Sequence, residues 1–175
     1  GDGAALEWRR LVDEWRVLTA AALVGLGAAA LDLGVEYAKV RQQFGVPIAT
    51  FGAIKHKLGE MTAREYGLES MMYRTAGLID AHIAAAPDKQ KNDAAPMLKA
   101  LEEFAVEASI AKVLGSEVVD YIIDENVQIH GGNGFVKDYP AEGHYRDSRV
   151  NRIFEGTNEI NRLLIPGMLI KKAVK

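Results

Sequence analysis

Cysteine is absent from the 175 residues, which excludes disulfides and thiolate metal sites alike. The four histidines, His56, His82, His130 and His144, never fall at the i, i+4 spacing with which a helix holds a metal, so no structural metal is expected. Charge of one sign is also lacking. The formal net charge is -3, with no basic block to follow phosphates, which speaks against nucleic acid as a partner. No run reaches the roughly 18 uninterrupted apolar residues of a spanning helix. Gly1-Asp2-Gly3 opens no charged-then-apolar secretory pattern. No membrane span and a cytoplasmic location are therefore the expectation. β-alternation and internal repeats are missing as well, and only five prolines are present to interrupt helices.

What is there favours helix. The composition is 49% hydrophobic, enough for one sizeable core in one domain, and is rich in Ala, Leu, Glu and Lys. From Ala4 to Arg41 the apolar positions Leu23, Leu26, Ala30, Leu33 and Tyr37 recur at steps of three and four, predicting one long helix with a possible break near Asp13. Gly25, Gly27 and Gly34 inside it each cost up to about 1 kcal/mol against alanine, so a neighbouring element should pack closely there. Phe44-Gly45-Val46-Pro47 stops this helix.

A second helix carries Ile54, Leu58, Met61, Leu68, Met72, Ile79 and Ile83 and ends at a polar surface loop, Pro87 to Asp93. A third should start at Asp93 as N-cap, tolerate Pro96 in its first turn, and run through Val106, Ile110, Val113, Val118 and Tyr121 to the glycines at 131 and 132. A short helix from Glu142 to Val150 and a last one from Thr157, kinked or split at Pro166, complete an all-α reading: an antiparallel up-and-down four-helix bundle with a short extra terminal helix.

Chemistry must come from the interruptions. Four blocks stand out: Arg41-Gln42-Gln43-Phe44-Gly45; Gln128-Ile129-His130-Gly131-Gly132-Asn133-Gly134-Phe135; Tyr145-Arg146-Asp147; and Phe154-Glu155-Gly156-Thr157-Asn158-Glu159-Ile160. Glu155, between an aromatic residue and a glycine just before a helix start, can project into an apolar slot that makes its carboxylate a better base. Taken alone it reads better as a solvated first-turn acid favoured by the helix dipole. Thr157 or Asn158 can cap the last helix, whose free amides can also meet a phosphate or ribose. Gly131 and Gly132 read as a helix terminator that also admits close backbone approach. Arg41 suits a helix C-terminus with or without a ligand. Arg146, Arg149 and Arg152 surround Asp147, the evident internal ion-pair partner, and read as a structural patch.

Together, in this order and spacing, the four blocks resemble the acyl-CoA dehydrogenase family over nearly the whole chain from about Ala4. The likeness is to the family's C-terminal helical domain, and residues 1–175 would form that domain, without the N-terminal helical domain and β-barrel that family members carry ahead of it. The resemblance implies FAD as cofactor and an acyl-CoA thioester as substrate. Glu155 would take the α-proton while flavin N5 accepts the β-hydride, and the amide beside Glu155, with a flavin ribityl hydroxyl, would bind the thioester carbonyl. It places the cofactor against Gln128, Ile129, Gly131, Gly132, Gly156, Thr157, Asn158 and Glu159. Arg41, with Gln43, Phe44 and Phe51, would reach the FAD of a neighbouring subunit, making a homodimer or homotetramer.

Substrate would meet Arg16, Phe154 and Gly156. Trp15 stands where some relatives place the catalytic glutamate, so the base falls to Glu155 and Glu14 is a bystander. Trp15 itself either narrows the pocket or packs in the core. The wording Ala141-Glu142-Gly143-His144 departs from the family's, and Gly143 should loosen the short helix. Electrons would pass to an electron-transfer flavoprotein or, in an oxidase-like relative, to oxygen. A non-catalytic helical interaction module is the reading of another class, and the 175 residues by themselves are expected to bind FAD weakly without turnover.

Overall fold

The computed structural model describes residues 2–87 and 94–174, except for the side chains of residues 2–11 and 13. Among these residues it is all-α, with six helices: α1 (Asp2–Val40), α2 (Gly52–Ala84), α3 (Ala94–Glu103), α4 (Ala105–His130), α5 (Pro140–Ser148) and α6 (Asn158–Ala173). The core lies where α1, α2 and α4 meet. Leu23, Ala30, Met61, Leu68, Val119, Ile122 and Ile123 are each at most 2% exposed there, and full burial of each large side chain among them stabilises by about 1.5–3 kcal/mol. Side chains added at three glycines show how the helices run. A Cβ at Gly27 would meet Glu65, one at Gly34 would meet Asn126 and Met61, and one at Gly115 would meet Leu23 and Leu68. Thus α1 and α2 are antiparallel, whereas α1 and α4 are parallel. α6 returns along α4, with Arg162 on Glu117 and Lys172 on Glu103.

α1 is unbroken through Asp13. The close packing expected at its glycines holds for Gly27 and Gly34 but not for Gly25, beside which a Cβ would stand in open space. The stretch Glu14–Val40 is long and apolar enough to cross a membrane by length and composition, even though charged residues interrupt it. In the fold it is the helix that both α2 and α4 pack against. After α1 the chain forms a two-stranded antiparallel hairpin, β1 (Gln42–Gln43) and β2 (Val46–Pro47), which no alternation in sequence announces.

The expected third helix is two. α3 and α4 are separated at Phe104 (φ -98°, ψ 20°), whose ring makes a T-shaped contact with His82. Hydrogen bonds from Phe104 N to Ala100 O and from Ala108 N to Phe104 O bridge the break, so the path bends rather than turns back. The polar run 88–93, including the expected N-cap Asp93, lies outside the described residues. α4 ends at the predicted glycines: Gly131 has φ 59° and ψ -137°, a backbone that side chains disfavour. α5 starts at Pro140 rather than Glu142 and tolerates Gly143 without a break, and Pro166 sits inside a continuous α6.

Candidate functional site

A short 3-10 segment (Arg149–Arg152) leads through a tight turn into α6. Glu155 has φ 56° and Gly156 φ 81°. A left-handed glutamate costs about 1–2 kcal/mol, so such a conformation persists only where its surroundings over-determine it. They do so here. The Gly156 carbonyl accepts hydrogen bonds from Lys112 Nζ at 2.9 Å and Asn161 Nδ2 at 2.8 Å. Lys112 also donates to Asn158 Oδ1 at 2.9 Å, and Asn158 Nδ2 donates to Ser116 Oγ at 2.9 Å. Thr157, not Asn158, is the N-cap of α6, its Oγ1 accepting from Ile160 N. The Asn158 side chain, 3% exposed, is committed to the interior.

Above this network the Glu155 carboxylate, half-buried, accepts a hydrogen bond from Thr19 Oγ1 at 3.3 Å. Two buried cations flank it. Arg16, 7% exposed, donates to Ser109 Oγ at 3.3 Å and lies 3.9 Å from where a Gly156 side chain would begin. Lys112 is fully buried; burial pushes its ammonium group down in pKa, and the nearby Glu155 pulls it back up. The Glu155 backbone N–H has no acceptor among the described residues. Phe154 is partly exposed, and Trp15, 55% exposed, is not the core tryptophan that was one of its two readings. Glu159 is exposed, and its carboxylate is held below its ordinary range by its own backbone N–H and by Thr157. An acid already occupying the start of α6 leaves that end suited to a hydroxyl rather than to a second anion.

The other predicted residues gather elsewhere. Arg41, Gln43 and Phe44 lie on the hairpin, whose central residues Phe44 (φ 54°) and Gly45 (φ 82°) form a type I′ turn. Phe44 is 93% exposed, its ring edge-on to Phe51 at 6.1 Å. Gln128, Gly131 and Gly132 sit at the same end of the bundle. His130 stacks on Tyr37 at 3.9 Å, and the Tyr37 hydroxyl donates to the His130 carbonyl. Gln128 and both glycines are exposed, with open space where glycine side chains would stand, whereas Ile129 is buried in the core. From Thr19 to Val40, the last residue of α1, is 21 residues, or about 32 Å at 1.5 Å per residue. The predicted site residues therefore form two groups, one beside the middle of α1 and one at its C-terminal end.

Sequence reasoning missed Thr19, Ser109, Lys112, Ser116 and Asn161. Lys112 alone left a signal, a charge between Ala111 and Val113 in an otherwise apolar stretch of α4. The expected partner of the arginine patch is also corrected: Arg152 pairs with Asp120 at 3.0 Å, and Asp147 makes no ion pair among the described residues. Asp147 stands two residues along a helix from Arg149, a spacing at which side chains diverge.

Fold and site thus define an all-α domain with a strained acidic turn over buried cations beside the middle of α1 and an exposed arginine–aromatic hairpin at the end of that helix. The family model described as acyl-CoA dehydrogenase, C-terminal domain, matches residues 1–169, and the chain belongs to this family. A probable acyl-CoA dehydrogenase of Bacillus subtilis is 46% identical over 160 residues, covering 91% of this chain and 27% of the relative. The caffeyl-CoA reductase-Etf complex subunit CarC of Acetobacterium woodii is 36% identical over 163 residues, covering 93% of this chain and 38% of the relative. Among solved structures, an acyl-CoA dehydrogenase from Bacillus anthracis complexed with FAD superposes with a TM-score of 0.95 at 44% identity, over 97% of this chain and 29% of that one. The chain therefore spans about a quarter to two-fifths of these relatives' lengths.

Proposed function

We propose that this chain supplies the base and part of the cofactor cradle for FAD-dependent α,β-dehydrogenation of an acyl-CoA thioester, as the C-terminal domain of a larger flavoenzyme. The observation that carries this reading is Glu155: a half-buried carboxylate in a left-handed turn, steadied by Thr19 and flanked by two buried cations. A base for a weakly acidic carbon must be fixed within reach of that carbon and partly withdrawn from water. The free Glu155 amide can hold the thioester carbonyl, and the positive charge of Arg16 and Lys112 favours the negative charge that builds on that oxygen as the α-proton leaves. FAD, when bound, supplies the acceptor for the β-hydride.

The residues present fit such a cofactor. Gly156 and Thr157 would face it at the acidic turn, with Glu159 offering a carboxylate to a ribose hydroxyl. At the far end, Gln128 and the bare backbone of Gly131 and Gly132 leave room for close approach. Arg41 presents a forked, permanently charged donor suited to a pyrophosphate, with Gln43, Phe44 and Phe51 beside it. The separation from Thr19, the partner of Glu155, to the hairpin that carries Arg41 is about 32 Å along α1. It supports a cofactor shared between two copies, in a homodimer or homotetramer. α1, α2, the α3–α4 pair and α6 read as the four rods of an up-and-down bundle. The relative that belongs to a reductase–Etf complex supports an electron-transfer flavoprotein as the acceptor, and a cytoplasmic enzyme fits that partner.

The test is Glu155→Gln in the complete, flavin-loaded enzyme. The near-isosteric amide should leave FAD bound and lower α-proton abstraction by about 10²–10⁴-fold, the usual contribution of a positioned base. Unchanged turnover would remove Glu155 from the mechanism.

A further inference from the structure

Lys112 is a fully buried cation on α4 whose hydrogen-bond acceptors, the Gly156 carbonyl and the Asn158 side-chain amide, are both neutral. Burying an ammonium is costly unless charge or hydrogen bonds compensate it. Its ion-pair partner is not in contact: no carboxylate lies within salt-bridge distance of Lys112 among the described residues. Nor is its charge needed to satisfy the carbonyl it holds, because Asn161 Nδ2 already donates to the same Gly156 oxygen at 2.8 Å. The Phe154 ring, 6.0 Å from Nζ, covers the ammonium at the outer limit of a cation–π contact. A neutral donor would tie α4 to the turn equally well, so the positive charge calls for a role beyond holding the helices together.

We infer that Lys112 is the positioning residue of the Glu155 turn: its ammonium grips the Gly156 carbonyl, holds Glu155 and Gly156 in their left-handed conformation, and sets a fixed positive charge beneath the amide and carboxylate that meet substrate. The inference rests on the reading of Glu155 as the base. It differs from simple helix tethering in one respect. Removal of the charge should slow the chemical step much more than it weakens substrate binding, because a preorganised charge acts most strongly where charge develops.

The experiment compares Lys112→Met, Asn161→Ala and Glu155→Gln in the complete flavin-loaded enzyme. Flavin bleaching is followed anaerobically with a saturated short-chain acyl-CoA and its α-deuterated form, and amide hydrogen exchange is followed across residues 154–158. Lys112→Met should retain the bound-flavin spectrum, slow flavin reduction about 10²-fold with a larger α-deuterium isotope effect, and change KM less than about threefold. Exchange of the turn amides should rise about tenfold. Asn161→Ala, which removes a neutral donor to the same carbonyl, should slow reduction by less than about tenfold. The assignment is overturned if Lys112→Met reduces flavin within about threefold of the wild-type rate, or if it and Asn161→Ala lose the same amount.

Should Lys112→Met not fold, Asn158→Leu strips one acceptor while keeping the ammonium. It should slow reduction about three- to tenfold, and a wild-type rate there overturns the assignment as well. Failure of the underlying reading is separable. A fully active Glu155→Gln removes the base, whereas an inactive Glu155→Gln beside an active Lys112→Met removes Lys112 alone.

Discussion

Glu65 turns the packing of α1 against α2 into a measurable pH dependence. It is 7% exposed, and neither carboxylate oxygen has a hydrogen-bond partner. It fits against α1 only because position 27 is glycine, since a Cβ there would stand 2.2 Å from Glu65 Oε2. Burial raises its pKa from the ordinary 4.5 to about 7, and the negative charge of Glu69 one turn on adds to the rise. A carboxyl whose folded pKa exceeds its unfolded one is buried protonated. Its contribution is intact below about pH 4.5 and is lost as pH rises through about 7. At 1.36 kcal/mol per unit, the loss between pH 5 and pH 8 comes to roughly 2–3 kcal/mol, which for a domain of this size is roughly 5–10 °C in Tm. Glu65→Gln keeps the shape and cannot ionise. Thermal and urea unfolding of both proteins at half-unit steps from pH 5 to pH 8 should show the variant gaining on wild type as pH rises, most steeply up to pH 7. A difference that stays flat within about 0.5 kcal/mol, or that shrinks with pH, refutes a buried protonated Glu65.

Two further outcomes follow from the same contacts. Gly27→Ala should destabilise by about 1–3 kcal/mol as overpacking, and combining it with Glu65→Ala should cost less than the sum of the two changes, measured as a double-mutant cycle by urea unfolding. Arg41→Ala, on an exposed hairpin, should alter stability by less than about 0.5 kcal/mol yet reduce the FAD retained through gel filtration. If the cofactor is shared, mixed oligomers of Arg41→Ala and Glu155→Gln chains should regain turnover that neither has alone, and absence of recovery in verified mixed oligomers counts against sharing.

The helices were legible where one physical rule dominated. Leu23, Ala30, Met61 and Leu68 repeat at helical spacing because each faces the same core, and α4 stops at Gly131 because its backbone there suits glycine. Legibility failed where two distant segments decide jointly. The bend at Phe104 accompanies a contact with His82, more than twenty residues away, and no local residue marks it. Asp147 looked like the partner of Arg152 by proximity in sequence, but the fold brings Asp120 of α4 to that arginine. The site divides in the same way. Its motif residues showed in sequence, whereas Thr19, Lys112, Ser116 and Asn161 act through contacts that only the packing of α1, α4 and α6 creates.

Phe44 and Glu155 are the only non-glycine residues with positive φ among those described, and each precedes a glycine with φ near 80°. Left-handed backbone is unfavourable for both, so some compensation must hold each turn. At the hairpin it is the pairing of Gln43 with Val46 and a type I′ geometry that suits the strand twist. At the acidic turn no strand pair exists, and the hydrogen bonds of Lys112 and Asn161 to Gly156 take its place. The two solutions leave the two side chains differently placed. Phe44 is thrown outward to 93% exposure, while Glu155 is kept half-buried near Arg16 and Lys112. Pairing within a hairpin leaves its tip open to solvent. Anchoring by a buried cation and an amide holds a carboxylate in place and leaves its outer face open to solvent.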